Sequence, residues 1–180
     1  MITLLEYLAY LNEGKYDRKK DEVIYPHLQE IQEYNKALIV KYPFLLPRNR
    51  WTDKVVDDYD FTWTELDAMP KGWRIRFGEE MVEEISQELK KYNFEDGYRI
   101  IQVKEKWGGL RWYDGGVPLV SAIHDIVRKY ENLSHKICIA CGDLAVYRSK
   151  GWISPWCKNC KEEQKNWETF DEITVEDYEN

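Results

Sequence analysis

Apolar residues open the chain at helical spacing. Leu4, Leu8 and Leu11 recur at steps of three and four, Thr3 and Glu6 make a capping-box pair, and Gly14 stands where a helix C-cap glycine belongs. A first helix is expected over residues 4–12, followed by a charged connector, residues 15–20. Leu28, Ile31, Leu38 and Ile39 form a second stripe, with Pro26 placed for a first helical turn and Pro43 as the stop.

The period then disappears. Residues 43–77 contain Pro43, Pro47 and Pro70 and the aromatics Trp51, Phe61, Trp63 and Trp73, and they read as an irregular segment with a short helical turn from Thr64. A loop this long within a compact domain is uncommon and often functional. From Gly78 the helical pattern returns: Met81, Val82, Ile85 and Leu89 line one face, and glutamates at the start and Lys90 and Lys91 at the end complement the macrodipole. Residues 98–107 are β-rich, Gly108-Gly109 signals a hairpin turn, and Leu110–Tyr113 supply the return strand. Pro118 opens a last long helix carrying Leu119, Ile123, Ile126, Val127, Tyr130 and Leu133. This order of elements predicts an α+β fold with a helical N-terminal part and a central β-hairpin between helices.

Composition narrows the class. The chain has 180 residues, 43% hydrophobic and 33% charged, which fits a globular domain with at most a small appendage and is too apolar for disorder. No apolar run approaches the length of a membrane span, and Glu6 and Glu13 stand where a signal peptide would be basic, so a cytoplasmic location with no membrane partner is expected. Eight Trp and 13 Tyr exceed ordinary usage and suggest a contact surface as well as a core. The net charge of −7 hides a basic middle: residues 98–160 hold 10 bases and 5 acids, against 14 and 20 in residues 1–97 and 2 and 8 in residues 161–180. The last stretch reads as a solvated acidic tail.

The sharpest signal is Cys138-x-x-Cys141-Gly142 and Cys157-x-x-Cys160, two pairs separated by 15 residues that use every cysteine of the chain. Two residues between thiols let a tight knuckle aim both at one ion about 2.3 Å away, and the following glycine tolerates the left-handed turn. One structural Zn²⁺ is the expected cofactor. Two disulfides would need an oxidising compartment, a redox CxxC would follow a thioredoxin-like strand, and a catalytic zinc would keep a position for water. A knuckle, a hairpin over residues 144–153 and a helix over residues 161–167 resemble a treble-clef zinc ribbon spanning residues 135–168. The expected division is thus residues 1–134 as an α+β domain, 135–168 as the ribbon and 169–180 as the tail.

No motif of nucleotide binding, metalloproteolysis or serine hydrolysis is present. His124 and Asp125 are helix neighbours that point about 100° apart and cannot pair as base and orienter. Asp57, Asp58, Asp60, Glu65 and Asp67 lack the loop glycine and terminal glutamate of an EF-hand. A non-enzymatic role is expected.

Two surfaces remain as candidates for binding. Arg99, Lys104, Lys106, Trp107, Arg111, Trp112 and Tyr113 on the hairpin, with Arg148, Lys150 and Lys158 in the ribbon, combine cations with stacking faces and suit DNA or RNA. The second is acidic: Asp53, Asp57, Asp58 and Asp60 with Glu80, Glu84 and Glu88 belong to a stretch from Trp51 to Glu88 holding 11 acids and 4 bases. Carboxylates so arranged imitate phosphates toward a basic groove of a nucleic-acid enzyme.

The stretches KYPFLLPRNRWT, DYDFTWTELDAMPKGWRIRFGEEM, YRIIQVKEKWGGLRWYDGG and GWISPWCKNC resemble a family of small proteins from phages, prophages and mobile elements of gut Firmicutes, over residues 25–162. The resemblance implies a mobile-element context and carries over no catalytic residue. The expectation is a non-catalytic zinc protein that binds a host protein and inhibits a nucleic-acid-targeting defence machine, such as a CRISPR effector nuclease. The alternative is a zinc-ribbon regulator that binds DNA or RNA directly.

Overall fold

The computed structural model describes residues 1–164 and 169–174, an α+β chain that divides into two compact units, residues 1–65 and 66–180. In the first unit, α1 (Leu4–Asn12) opens with the expected capping box: Thr3 Oγ1 accepts the Glu6 N–H and Glu6 Oε2 accepts the Thr3 N–H at 2.7 Å. The charged connector is structured after all. Lys15–Asp17 (β1) and Glu22–Ile24 (β2) pair as a small antiparallel hairpin whose reversal uses Asp21 at φ 57°. Helix α2 (Leu28–Lys41) buries Ile31, Tyr34 and Leu38, and Tyr34 stacks on Tyr7 of α1 with ring centroids 4.4 Å apart. The irregular segment is fastened to α2 by side-chain amides: Gln32 donates to the Asp60 carbonyl and Asn35 to the Phe61 carbonyl, each at 2.8 Å. Those bonds satisfy backbone oxygens that no strand or helix partners.

The second unit begins with a short 3₁₀ turn, Glu65–Ala68, at its boundary. A helical turn, α3 (Lys71–Trp73), passes through a π-helical turn, Arg74–Gly78, into α4 (Glu79–Lys91). Met81, Val82, Ile85 and Leu89 are buried on one face, as their spacing predicts. Strands β3 (Arg99–Lys106) and β4 (Gly109–Gly115) form the central hairpin, and α5 (Ile123–Ser134) packs on both α4 and β4. Trp73, Phe77, Tyr98, Leu110, Ile123 and Tyr130 complete the core.

The hairpin turn differs from expectation by one residue. Lys106 pairs with Gly109, so the turn is Trp107-Gly108, at φ 54° and 76°. A two-residue turn with both central φ values positive matches strand twist. Gly109 serves another purpose: a side chain there would meet the His135 ring at 2.5 Å. In the resulting register Gln102, Lys104, Lys106, Arg111 and Tyr113 share one face, while Val103, Glu105, Leu110 and Trp112 share the other.

The ribbon also departs from its outline. Strands β5 (Tyr147–Ser149) and β6 (Pro155–Trp156) pair, α6 (Lys158–Glu163) starts directly after Cys157, and β7 (Phe170–Glu172) adds to the other edge of β5. Part of the expected acidic tail is therefore a strand, held also by Lys150 Nζ 2.7 Å from Asp171 Oδ1. The expected helix over residues 161–167 begins three residues earlier, and residues 165–168 and 175–180 lie outside the described residues. Residues 134 and 135 both belong to the second unit, in which α3 and the first cysteine knuckle are in direct backbone contact. Among the described residues no helix is long and apolar enough to cross a membrane.

Candidate metal centre

Four local structures aim the cysteines inward. Cys138 and Cys141 sit on a tight turn in which the Gly142 N–H donates to the Cys138 carbonyl at 3.1 Å, and Gly142 takes φ 88°. Cys157 is the N-cap of α6, its sulfur accepting the Cys160 N–H at 3.4 Å, and Cys160 follows in the first turn. All four sulfurs lie within 4.8 Å of one another, with Cys141 and Cys157 sulfurs 3.6 Å apart. A tetrahedron with metal–sulfur distances of 2.3 Å has sulfurs about 3.8 Å apart. The thiols thus fit one ion of that size, and none is joined to another. Among the described residues no other group of three or more His, Cys, Asp or Glu side chains converges in this way, the acids at residues 57–67 included.

The charge state of the cluster follows from its surroundings. Burial pushes the Cys138 thiol up, but the backbone N–H groups of Cys157, Cys141 and Ala140 outweigh it and the net shift is downward. Burial pushes Cys141 up to about 12 and Cys160 upward as well, so without a cation these thiols stay protonated at neutral pH. Four thiolates around one divalent ion leave no coordination position for water or substrate, which is the arrangement of a structural site.

The first knuckle rests on α3. The Gly72 N–H donates to the Ile139 carbonyl and the Trp73 indole N–H to the Ile137 carbonyl, each at 2.9 Å. A methyl group on Gly72 would overlap the Cys138 carbonyl oxygen, and one on Gly142 would stand 2.7 Å from the Gly72 oxygen. Sequence reading missed this support. A glycine beside a tryptophan after Pro70 was the available signal, with no partner to identify.

The candidate binding residues scatter more than their sequence positions suggest. Trp112 is 4% exposed, and its indole N–H donates to the Tyr98 hydroxyl at 2.9 Å, so it belongs to the core and offers no stacking face. Arg99 lies at the far end of the hairpin, donating to the Tyr98 carbonyl, and Lys150 is paired with Asp171. Lys104, Lys106 and Arg111 share one face of the hairpin with Tyr113, Lys106 and Tyr113 exposed and Lys104 and Arg111 half-buried, and Trp107 projects from its tip. Arg148, on β5, and Arg111 both act on His135; burial first and then these cations push its imidazole below the ordinary value, against the nearby Glu131. His135 lies outside the cysteine group.

The acidic candidates likewise have structural partners. Glu88 is 4% exposed: its carboxylate accepts the Ala122 N–H at the start of α5 and pairs with Lys91. Glu84 accepts Lys129 at 2.6 Å and the Tyr130 hydroxyl at 2.8 Å, and Lys129 also lies 4.0 Å from Glu80. Asp53 and Asp58 occupy left-handed positions, and Asp60 accepts from the Thr62 backbone and hydroxyl. Burial and pairing remove Glu84 and Glu88 from an open acidic face.

No family model matches the chain, and no curated protein and no solved structure matches it.

Proposed function

We propose that the four thiols hold a single structural Zn²⁺ and that the chain acts as a non-catalytic binding protein of mobile-element type, inhibiting a nucleic-acid-targeting defence machine of its host cell. One observation carries the metal part of the reading: four sulfurs within 4.8 Å, seated by backbone contacts from α3 and capped by α6, form a shell that a soft tetrahedral cation completes. Such a shell stabilises a segment with few core residues of its own and performs no chemistry on a substrate. The anti-defence role draws on the resemblance of the hairpin and ribbon stretches to phage and prophage proteins, and the cytoplasm of the host is where such a role would be exercised.

Two measurements test it. Metal analysis of purified protein is expected to return one zinc per chain, and Co²⁺ in its place should give the absorption of a tetrahedral thiolate site. Pull-down against a panel of effector nucleases, with and without guide RNA, should capture one of them and slow its cleavage. Absence of binding and unchanged cleavage across the panel would refute the inhibitor role.

A further inference from the structure

Two local rules of hairpin construction are broken side by side at the free end of β3 and β4. The first is at the turn. Positive φ at both central residues favours Asn-Gly or Gly-Gly, yet the first position holds Trp107 at φ 54°, with its side chain 69% exposed. A large aromatic in the left-handed region is strained, and the indole is largely in solvent. The second is in the ladder: Lys104 and Arg111 stand directly opposite one another, a like-charge pair that destabilises a sheet. Among the described residues neither these two nor Lys106 forms an ion pair. Departures of this kind concentrate where a protein meets a ligand.

The ribbon completes the arrangement. Its turn brings Trp152, 72% exposed, to a cleft of about 320 Å³ that Trp107, Lys106, Gly151 and Ile153 also line. That volume lies at the lower end of small-ligand sites. The Trp152 indole is held rather than loose: its N–H donates to Glu105 Oε2 at 3.0 Å, while Glu105 Oε1 accepts the Gly108 N–H at 2.7 Å. The one carboxylate in the cleft therefore has both oxygens engaged. Lys106 Nζ lies 4.5 Å from the Trp107 ring centroid and Lys104 Nζ 5.1 Å from that of Tyr113.

We infer that this cleft binds single-stranded nucleic acid, with an unstacked base against the Trp107 and Trp152 indoles and the adjoining phosphates along Lys104, Lys106 and Arg111. Stacking needs an exposed aromatic face and a nucleic-acid backbone needs cations with no carboxylate partner. The tip supplies exposed indoles together with Lys106, Lys104, which donates to Gln102, and Arg111, which donates to the Leu110 carbonyl. A duplex keeps its bases stacked internally and gains only the charge contacts. The site stands apart from the inhibitor reading and requires only that the ribbon be folded.

The test is anisotropy of labelled oligo(dT) and oligo(U) of about fifteen nucleotides, titrated with the zinc-loaded full chain at low salt, beside a duplex and a polyglutamate peptide. The single strands are expected to bind, with affinity falling with salt at a log–log slope of about −2 for three phosphate contacts. Trp107→Asn suits the turn and should melt no lower than the parent, yet weaken binding about five- to a hundredfold, as loss of a stacked aromatic does. Trp152→Ala should act likewise, and Lys104→Gln should reduce the slope by about 0.7. Preference of oligo(U) over oligo(dT), or the reverse, tells RNA from DNA within the proposal. No binding of either strand, equal binding of the duplex, unchanged affinity of Trp107→Asn, or retention of polyglutamate in place of the strands would overturn it. One zinc per chain in each variant keeps such a failure distinct from failure of the structural-zinc reading.

Discussion

Gly72 of α3 lies so close to Cys138 that the hydrogen on its Cα takes the only space left beside the cysteine carbonyl. The contact joins a helix turn to a cysteine knuckle 66 residues further along the chain, and the Gly72 N–H bond to the Ile139 carbonyl at 2.9 Å fixes its direction.

Gly72→Ala should therefore damage two properties together. The added methyl meets backbone on the knuckle, where nothing flexible can yield, so a loss of about 1–3 kcal/mol is expected from overpacking. Zinc competition against a chelator should show weaker retention in the same variant. A thermal melt and zinc retention both equal to the parent would contradict the coupling.

If the four thiols hold zinc as proposed, its removal should loosen the ribbon. Structural zinc in a closed thiolate shell contributes on the order of 10 kcal/mol to folding, so Cys141→Ser or a strong chelator should lower the melting temperature and expose the ribbon amides to exchange. Binding displaces thiol protons, and burial holds Cys141 at about 12 before the metal arrives. Zinc affinity should consequently fall as pH falls, which a titration with a competing chelator at several pH values would read.

Glu88 supplies an acid-sensitive contribution. The Ala122 N–H, then Lys91, lower its carboxyl below the ordinary value of 4.5 in the folded state. A lowered folded pKa means that the stabilisation is present above the unfolded value and is lost as pH falls through the folded one. Glu88→Gln should flatten the stability profile below about pH 4.5, and Glu88→Ala should cost about 1.5–3 kcal/mol at neutral pH by removing a charge-assisted bond. Urea melts across the acid range measure both.

Asp114 has the opposite sign. Burial raises its carboxyl above the ordinary 3.8, more than the Tyr98 hydroxyl bond at 2.8 Å and the nearby His124 lower it. A raised folded pKa gives stability that is present below the unfolded value and lost as pH rises through the folded one. Asp114→Asn keeps an acceptor for Tyr98 and removes the buried charge, so it should raise stability at neutral pH. A fall in melting temperature at neutral pH would contradict this account.

Much of the chain could be read without coordinates, and each success rests on short-range chemistry. Thr3 and Glu6 announced the first helix because a capping box closes within one turn. The stripe from Met81 to Leu89 announced α4, and the cysteine spacing announced the cluster, because two thiols three positions apart form half a tetrahedral site by themselves. The failures involve partners distant in sequence. Gly108-Gly109 looked like the turn, but Gly109 pairs with Lys106 and has no room for a side chain beside His135; the turn is Trp107-Gly108, and this register buries Trp112 and puts Lys104, Lys106 and Arg111 on the other face. Residues 170–172 looked like a solvated tail because three residues, two of them acidic, carry no strand signal until β5 offers them an edge.

The sequence by itself determined the α+β class, the helices α1, α2 and α4 and the clustering of the four cysteines, since periodicity, capping and knuckle spacing act within a few residues. Only the tertiary structure decided what supports the knuckle, which acids are spent on helix starts and ion pairs, and which tryptophans remain in solvent. Those outcomes depend on strand register and on the close approach of distant backbone, and a shift of one residue in pairing reverses the face on which every side chain of a strand lies.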